Sequence, residues 1–346
     1  MPTIRDVAKQ AGVAPMTVSR VINNSGYVSE DTRNRVEEAI SRLGYVPNML
    51  GPSLRFNQTN TLALVLTDIT NPFWTTVARG VEDAAQEAGY SVILCNTDES
   101  ETKQDQYLTM LLKRRIDGIL LVPSTSTSNV VQTIKNQGVK VVVLDREVND
   151  TEVDVVEGDS IGGAYQLTRY LIELGHQHIA ILSGPQNVST SSQRVAGFCR
   201  AIEEANLSHN TANIYWGEFS QTLGHEMVRR ALQSTPRPTA FLAVNNFIAN
   251  GALQALREMN IRVPEDVSVV SFDDIPVSIN PMPFLTVAAQ PAYEMGYQAT
   301  QLLVARLVNA GPETVQKIIL PVEILIRQSS GEPPQEPGNE SWNTAN

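Results

Sequence analysis

Cysteine is nearly absent from this chain, and long apolar runs are absent altogether. The two cysteines, Cys95 and Cys199, both lie in apolar stretches, which favours buried thiols in a reducing cytoplasm over a disulfide framework. The N-terminus has no basic region followed by an apolar run, so we expect no secretory signal. Because no uninterrupted apolar stretch approaches the length of a membrane span, we expect a cytoplasmic protein with no membrane partner.

Residue sets that carry catalysis or hold a metal are also missing. No Ser/His/Asp set or carboxylate pair indicates catalysis, and Gly162-Gly163 after Asp159 lacks the spacing of a dinucleotide-binding loop. His176 and His178 are close in sequence but have no cysteine or aspartate cluster beside them, so we expect no metal site. The sequence thus favours a protein that is not an enzyme and needs no cofactor.

Charge is distributed unevenly along the chain. The formal net charge is -11, but residues 1–60 hold seven Lys or Arg against five acids, a net charge of +2, and the remainder carries -13. An acidic body repels DNA everywhere except where a basic head touches it. The pattern therefore favours contact with a polyanion through the first 60 residues.

Three short helices are predicted within residues 1–45. Thr3 and Asp6 have the spacing of a capping box at the start of the first helix. Pro15 is well placed as the first residue of the second helix, and Ser29 as the cap of the third. This arrangement predicts a helix-turn-helix, in which the second helix enters the major groove of DNA.

The exposed side chains of that second helix are the candidate DNA-reading residues. They are Pro15, Met16, Thr17, Ser19, Arg20 and Asn23. Arg20 can pair with a guanine edge and discriminate by about 1–3 kcal/mol. Thr17, Ser19 and Asn23 have short polar side chains that commonly contact phosphate, whereas Pro15 and Met16 can read only shape or a thymine methyl group. The alternative is a three-helix bundle without a DNA role, in which Arg20 is a solvated surface charge.

From Leu62 onward, apolar runs of strand length alternate with amphipathic helical patterns. Runs such as LALVLT and VKVVVLD, each followed by a helical pattern, predict βαβ units and parallel sheets. The segment is too long for one small sheet, so the fold class is α/β with two doubly wound parallel lobes. Ligands of such sheets bind beyond the carboxyl ends of the strands, which predicts a pocket between the lobes.

Polar and aromatic side chains at the predicted strand ends are the candidates for holding a small molecule. They are Asp68, Asn71, Phe73, Trp74, Asp145, Arg146, Arg194, Phe219, Asn245 and Asp273. Aromatic faces combined with planar polar groups suit a sugar-like ligand. Each has a plainer alternative: Phe73 and Trp74 as core residues, and Asp145 as a helix cap.

Motifs along nearly the whole chain resemble one protein family. The head stretches TIRDVAKQAGV, TVSRVINN and VSEDTRNRVEEAISRLGYVPN are similar to those of the lactose/galactose-repressor (LacI/GalR) family of bacterial transcription regulators. The resemblance continues through DITNPFW, LGHQHIAILSGP, RVAGF, VPEDVSVVSFDD and LTVAAQP, up to about residue 328. It implies a homodimer that binds a palindromic operator. It also implies a body like periplasmic sugar-binding proteins, whose small-molecule effector, expected to be a carbohydrate, changes operator affinity.

The resemblance also assigns positions in the pocket. Aromatic wall positions of the family match Phe73, Trp74 and Phe219, and polar pocket positions match Arg194, Asn245 and Asp273. Asn246 stands where the family usually has Asp, which puts its usual local bonding in doubt.

In that family, the segment after the head folds into a hinge helix on DNA. Asn48 matches its N-cap and Leu54 the leucine that wedges into the central base step, and both join Thr3 in the predicted DNA-binding set. Gly51-Pro52 replaces the usual Ala-Arg, so we predict a hinge that is harder to fold and operator binding that is weak or strongly effector-dependent.

The predicted organisation has four parts. They are a helix-turn-helix domain (1–46), a hinge and linker (47–60), an effector-binding and dimerisation domain of two lobes (61–328) and a disordered tail (329–346). The favoured function is an effector-controlled repressor. A sugar-binding carrier or receptor without a transcriptional role is the alternative that the body alone would support.

Overall fold

The computed structural model describes residues 2–46, 58–127, 129–149, 152–207 and 213–334. The chain divides into two compact units, Met1–Thr59 and Asn60–Asn346. Within the described ranges, no helix combines the length and apolarity needed to cross a bilayer.

The first unit consists of three helices around a small apolar core. They are α1 (Ile4–Ala11), α2 (Pro15–Ile22) and α3 (Glu30–Leu43). The predicted capping box is present, because the Asp6 carboxylate accepts a hydrogen bond from the backbone N–H of Thr3 at 2.8 Å and the backbone N–H of Asp6 donates to Thr3 Oγ1 at 3.4 Å. Ser29 lies at the N-cap position of α3, as predicted, but the side-chain hydrogen bond expected of a cap is not formed. Its hydroxyl donates to Thr32 Oγ1 at 2.9 Å and makes no capping bond to the backbone.

The second unit contains two six-stranded sheets, and each forms the centre of one lobe. The strands are β1 (Thr61–Leu66), β2 (Ser91–Asn96), β3 (Gly118–Leu121), β4 (Lys140–Leu144), β5 (Asp154–Gly158), β6 (Ile179–Ser183), β7 (Ile214–Trp216), β8 (Ala240–Ala243), β9 (Ser268–Phe272), β10 (Thr286–Ala289), β11 (Lys317–Leu320) and β12 (Glu323–Leu325). Lobe 1 has the order β11-β5-β4-β3-β1-β2, and lobe 2 has the order β12-β10-β9-β8-β6-β7. The α/β fold with two doubly wound lobes is confirmed.

Helices flank both sheets. They are α4 (Pro72–Glu87), α5 (Glu101–Lys113), α6 (Asn129–Asn136) and α11 (Ala292–Leu307) in lobe 1, and α7 (Ser160–Glu173), α8 (Ser189–Glu204), α9 (Gln221–Ala231) and α10 (Asn246–Glu258) in lobe 2. The strands are buried between helices and are almost continuously apolar, as doubly wound sheets require.

Strand direction differs from the prediction at one edge. β12 runs antiparallel to β10, whereas the other described strand pairs are parallel. The chain crosses between the lobes after β5, after β10 and between β11 and β12. β12 pairs antiparallel because it follows the last crossing directly, without a helical crossover that would return it in the parallel direction.

The segment after β12 is held against lobe 2. The Ser329 hydroxyl donates to the carbonyl of Val269 at 2.6 Å, and the backbone N–H of Gly331 donates to Ser268 Oγ at 3.0 Å. The prediction of a disordered tail from residue 329 is therefore wrong for 329–334, because these polar groups have fixed partners on β9. Residues 335–346 lie outside the described residues.

Candidate functional site

All ten side chains that the sequence predicted for the pocket line one cavity between the lobes, which we call the inner cavity. Its empty space, counted together with the part open to solvent, is about 450 Å³, and the space that water-sized molecules can fill is about 40 Å³. Four further lining residues were missed: Glu99, Thr190, Phe247 and Gln290. Glu99 and Gln290 follow β2 and β10, so the strand-end rule that found the others also applies to them. Thr190 and Phe247 lie in the first turns of helices and carry no such signal.

Lobe 1 contributes the N-terminus of α4. Asn71 Oδ1 accepts a hydrogen bond from the backbone N–H of Phe73 at 3.0 Å, which caps the helix and fixes the two aromatic residues that follow. The rings of Phe73 and Trp74 meet edge to face with centroids 4.8 Å apart. Both are buried among core side chains and also line the inner cavity, so the core interpretation is confirmed and contact with a ligand stays a prediction.

Arg146 is a buried residue that lines the inner cavity. Its guanidinium makes two hydrogen bonds to the Glu99 carboxylate, at 2.6 and 2.7 Å, and a third to the carbonyl of Pro123 at 3.0 Å. The same guanidinium lies 5.5 Å from the ring centroid of Phe219 in lobe 2. Glu99 thus neutralises Arg146 and holds it against an aromatic wall.

Asp145 lies deeper, directly after β4. It has a φ of 61° and precedes no helix, so the interpretation as a helix cap is wrong. Its Oδ1 is buried and has no hydrogen-bond partner within the described residues. Burial raises the pKa of this carboxyl, against the opposing charges of Arg194 and Arg146. A buried carboxylate oxygen without a partner is an acceptor available to a ligand.

Lobe 2 supplies Arg194 and Asp273. Arg194 Nη1 donates to the carbonyl of Val244 at 2.5 Å, and the guanidinium stacks 4.1 Å from the centroid of Phe272. Asp273 follows β9 and accepts a hydrogen bond from Gln290 Nε2 at 2.7 Å. Burial raises the pKa of Asp273 to about 6, although the charge of Arg194 opposes this. The side chains of both residues are thus fixed before any ligand arrives.

Two adjacent asparagines follow β8 and have different roles. Asn245 Oδ1 accepts from the backbone N–H of Ile248 at 2.9 Å and caps α10, which leaves its amide N–H groups for the cavity. Asn246, which replaces the family's usual Asp, donates from Nδ2 to Asn71 Oδ1 at 2.9 Å. This buried bond joins the two lobes beside the inner cavity.

The exposed face of α2 is the candidate DNA surface of the first unit. Met16 is 65% exposed, Pro15, Arg20 and Asn23 are exposed, and Thr17 and Ser19 are half-buried. Asn23 Nδ2 donates to the Ser19 carbonyl at 2.9 Å, so part of its bonding capacity is used within the helix. Tyr27, 91% exposed just beyond α2, was missed, because exposure cannot be read from a single aromatic residue. Thr3 is engaged in the capping box, and Asn48, Gly51-Pro52 and Leu54 lie outside the described residues.

Comparison with known families agrees with this two-part organisation. Residues 3–48 match the family described as bacterial regulatory proteins, lacI family. Residues 59–328 match periplasmic binding proteins and the sugar-binding domain of the LacI family.

Individual relatives extend over nearly the whole chain. The HTH-type transcriptional repressor PurR of Haemophilus influenzae (strain PittEE) is 36% identical over 332 residues, which are 95% of this chain and 98% of the relative. The transcriptional regulator CelR in complex with cellobiose is 34% identical with a TM-score of 0.72, covering 95% of this chain and 100% of that one. The lac repressor dimer bound to operator and the anti-inducer ONPF is 25% identical with a TM-score of 0.83, covering 95% and 99%.

These relatives are transcription regulators and not enzymes, and the carrier alternative is set aside because the head matches a regulator family of its own. The chain belongs to the LacI family of bacterial transcriptional repressors, with a helix-turn-helix DNA-binding domain and a ligand-binding domain.

Proposed function

We propose that this protein is a homodimeric repressor of a palindromic operator whose DNA affinity is set by a carbohydrate held in the inner cavity. The observation that carries the proposal is the unpartnered, buried Asp145 carboxylate oxygen in the same cavity as Asp273 and Arg194. Sugar hydroxyls both donate and accept, so one ligand can serve all three groups.

The charge of the inner cavity favours a neutral ligand. Its lining holds four acids and two arginines, and one of these arginines, Arg146, is already paired with Glu99. Arg194 is then the one lining arginine that is not paired with an acid, against Asp68, Asp145 and Asp273. An anionic ligand such as a sugar phosphate would add repulsion inside a buried site. The cellobiose complex of the regulator CelR, which is similar to this chain, also supports a neutral sugar.

Contacts between the lobes indicate how a ligand can act as a switch. Besides the bond from Asn246 to Asn71, the backbone N–H of Ser126 in lobe 1 donates to the carbonyl of Asn187 in lobe 2 at 3.2 Å. A ligand that contacts both walls favours this arrangement over one with separated lobes. Whether the ligand strengthens or weakens operator binding depends on which arrangement of the lobes gives the two helix-turn-helix domains of the dimer the spacing that the operator requires.

Exposed apolar side chains support a second copy as the partner. Val277, Ile279 and Met282 in one loop of lobe 2 are 64%, 59% and 84% exposed, and Leu94 on the edge strand β2 of lobe 1 is 39% exposed. Apolar side chains clustered on a surface loop are typical of a protein interface, and symmetric dimers are the commonest assembly. A related repressor, the lac repressor, is a dimer in its operator complex.

The experiment is selection of binding sites from random double-stranded DNA by the full-length protein at physiological salt. We expect an enriched palindrome, and Arg20→Ala should relax preference at one base pair of each half-site. Arg42→Ala, an exposed arginine on α3, is the matched control and should leave the selected sequence unchanged. Sites without two-fold symmetry would contradict the dimer, and unchanged sites for Arg20→Ala would contradict its base-reading role.

The hinge requires its own arm of the experiment. Absence of enrichment by the wild-type protein, followed by recovery with Gly51→Ala/Pro52→Arg, would locate the weakness in the hinge. Absence in both proteins, recovered by adding sugars, would identify a co-repressor. If no sugar restores binding to either protein, the proposed function is wrong.

A further inference from the structure

A buried carboxyl group lies where the chain first crosses between the lobes. Glu157 is the second-last residue of β5, and the chain passes to lobe 2 between β5 and α7. The residue is 3% exposed. Its Oε2 atom is buried and has no hydrogen-bond partner among the residues that the structure describes. Because an ionised carboxylate is costly to bury without partners, this position favours uptake of a proton.

Glu157 shares one cation with a second acid. The ammonium group of Lys317, on the neighbouring strand β11, lies 3.1 Å from Glu157 Oε1 and also bonds to Glu147 Oε1 in the loop after β4. When all three groups are ionised, the cluster carries a net negative charge. The two carboxylates then repel each other and compete for the same ammonium group.

The second acid of this cluster also contacts the other lobe. The backbone N–H of Glu147 donates to Ser189 Oγ at 2.8 Å, and a Glu147 carboxylate oxygen accepts from Gln193 Nε2 at 3.0 Å. Ser189 and Gln193 both belong to α8 of lobe 2. These contacts replace water around Glu147 with uncharged groups. Joining the lobes therefore removes water from a cluster that has more negative than positive charge.

The charges with the largest effect on Glu157 belong to lobe 1. Burial acts most strongly and raises the pKa of Glu157 from 4.5 to about 7. Glu147 and Asp145, both in the segment after β4, also raise it, whereas Lys317 opposes the rise. Glu157 thus changes its charge near neutral pH.

The arginines beside this cluster are engaged elsewhere. Arg146 bonds to the Glu99 carboxylate, and Arg194 of α8 bonds to the carbonyl of Val244. Within the described ranges, Lys317 is the one cation that pairs with Glu157. The charge of Glu157 is therefore balanced only in competition with Glu147.

We propose that Glu157 is a proton-binding site that links the two lobes, and that its protonation favours the joined arrangement. With Glu157 neutral, Lys317 pairs with Glu147 alone, and Glu147 keeps its bonds to α8. With Glu157 ionised, the excess negative charge is better solvated when α8 moves away from Glu147. The proton then acts as a second ligand of the lobes, whatever molecule the inner cavity holds.

The test follows the proton and the lobes separately, in the full-length protein without effector or DNA. Carboxyl 13C NMR of glutamate-labelled protein reports ionisation, and Glu157→Gln identifies the signal by removing it. Small-angle scattering at about pH 8 and about pH 6.5 reports the separation of the lobes, and the forward scattering shows that the assembly is unchanged.

We expect one glutamate signal to titrate near pH 7 and the radius of gyration to be smaller at the lower pH. Glu157→Gln is neutral at both pH values and should keep the smaller radius throughout. Glu147→Gln leaves Lys317 to Glu157 alone, so the transition should move about one unit to lower pH. Glu226→Gln, an exposed acid on α9, is the matched control and should behave as the wild type.

Contrary outcomes separate the proton site from its effect on the lobes. Glutamate signals that all titrate near the ordinary pKa of 4.5 overturn the proton site. A radius that is constant, that grows in acid, or that changes equally in wild type and Glu157→Gln overturns the link between the lobes. If unfolding temperatures show that Glu157→Gln is not folded, an unshifted transition in Glu147→Gln overturns the proposal. Because no effector or DNA is present, the proposed repressor function stands in each case.

Discussion

Buried carboxyl groups dominate the site at the scale of single residues. Asp145 and Asp273 lie in one cavity with a single arginine, Arg194, that is not already paired with an acid. Burial raises the pKa of both, to about 6 for Asp273. Because the folded pKa of Asp273 is above its ordinary value of 3.8, its contribution to stability falls as pH rises from about 4 to 6. The ionised Asp273 carboxylate therefore destabilises the folded protein at neutral pH.

We predict that effector binding weakens in acid. A sugar that donates to the Asp273 carboxylate requires the ionised form, so affinity should fall about tenfold between pH 7.5 and pH 5. Asp273→Asn should bind more weakly at pH 7.5 and show a smaller change with pH, the remainder coming from Asp145. Titration calorimetry at both pH values measures this. Affinity that rises in acid would contradict the assignment.

Gly184 leads to a second prediction, because it provides the space for Phe219. A Cβ at residue 184 would lie 2.2 Å from the Phe219 ring and 2.6 Å from Ser191 Oγ. Gly184→Ala should displace the ring and reduce effector affinity about tenfold or more, since a misplaced wall costs several contacts. Gly217→Ala, whose Cβ would lie 3.2 Å from Met227 Cε and 3.4 Å from Leu223 Cβ and Cδ1, is the control. Equal affinities in the two variants would rule out this role.

At the scale of elements, helix starts and strand ends position the site. Asn71 and Asn245 cap α4 and α10 at the carboxyl ends of their sheets, so each cap also presents an amide to the inner cavity.

The imidazole of His176 helps to hold the segment 329–334 against lobe 2. His176 contacts Thr239 Oγ1 at 2.8 Å through Nδ1, and Ser268 Oγ at 3.1 Å and the Gly331 carbonyl at 2.9 Å through Nε2.

Replacing His176 should therefore loosen lobe 2. His176→Phe leaves several buried polar groups without partners, and we expect the free energy of unfolding to fall by about 2–3 kcal/mol. His178→Phe, an exposed change two residues away, should stay within about 0.5 kcal/mol. Denaturant unfolding measures both.

The pH dependence of unfolding gives a check on that role. Burial lowers the pKa of His176 below its ordinary value of 6.5, so the folded state resists protonation. Its contribution to stability is therefore complete above pH 6.5 and is lost as pH falls below that value. The difference between wild type and His176→Phe should shrink in acid, and a difference that grows would exclude a neutral buried imidazole.

Local signals made most of the fold and site predictable. The capping box at Thr3 and Asp6 depends on residues three apart, and many of the cavity residues follow strand ends, although Phe73, Trp74 and Arg194 lie on helices. The bonding of Ser29 was not predictable, because its neighbour Thr32 competes for the hydroxyl. The direction of β12 depends on a partner strand far away in the sequence. Bonds of short polar side chains and the pairing of strands far apart in sequence therefore could not be predicted from the sequence.

At the scale of the whole molecule, bonds between the lobes determine how readily they separate. Asn246 bonds to Asn71, and Glu147 of lobe 1 accepts a hydrogen bond from Gln193 Nε2 of lobe 2 at 3.0 Å. The backbone N–H of Glu147 also donates to Ser189 Oγ at 2.8 Å. Each such bond contributes about 1 kcal/mol, so a few of them set the balance between closed and open lobes.

Asn246→Asp should favour open lobes. It replaces the donor with a carboxylate facing Asn71 Oδ1, which already accepts from Phe73, and two acceptors then meet. We expect a larger radius of gyration in small-angle scattering and an effector affinity about fivefold lower. Asn260→Asp, at an exposed position two residues after α10, is the control. Unchanged scattering and affinity would show that this bond does not hold the lobes.

The triple crossing of the chain has a consequence for biosynthesis. β11 pairs with β5 through Lys317 and Val155, and α11 packs on α4, so lobe 1 is completed by segments that a ribosome makes last. At bacterial elongation rates, tens of seconds separate the first strand from these closing pieces. Until then the sheet of lobe 1 has an exposed edge and an uncovered apolar face, which makes the nascent chain a client for chaperones.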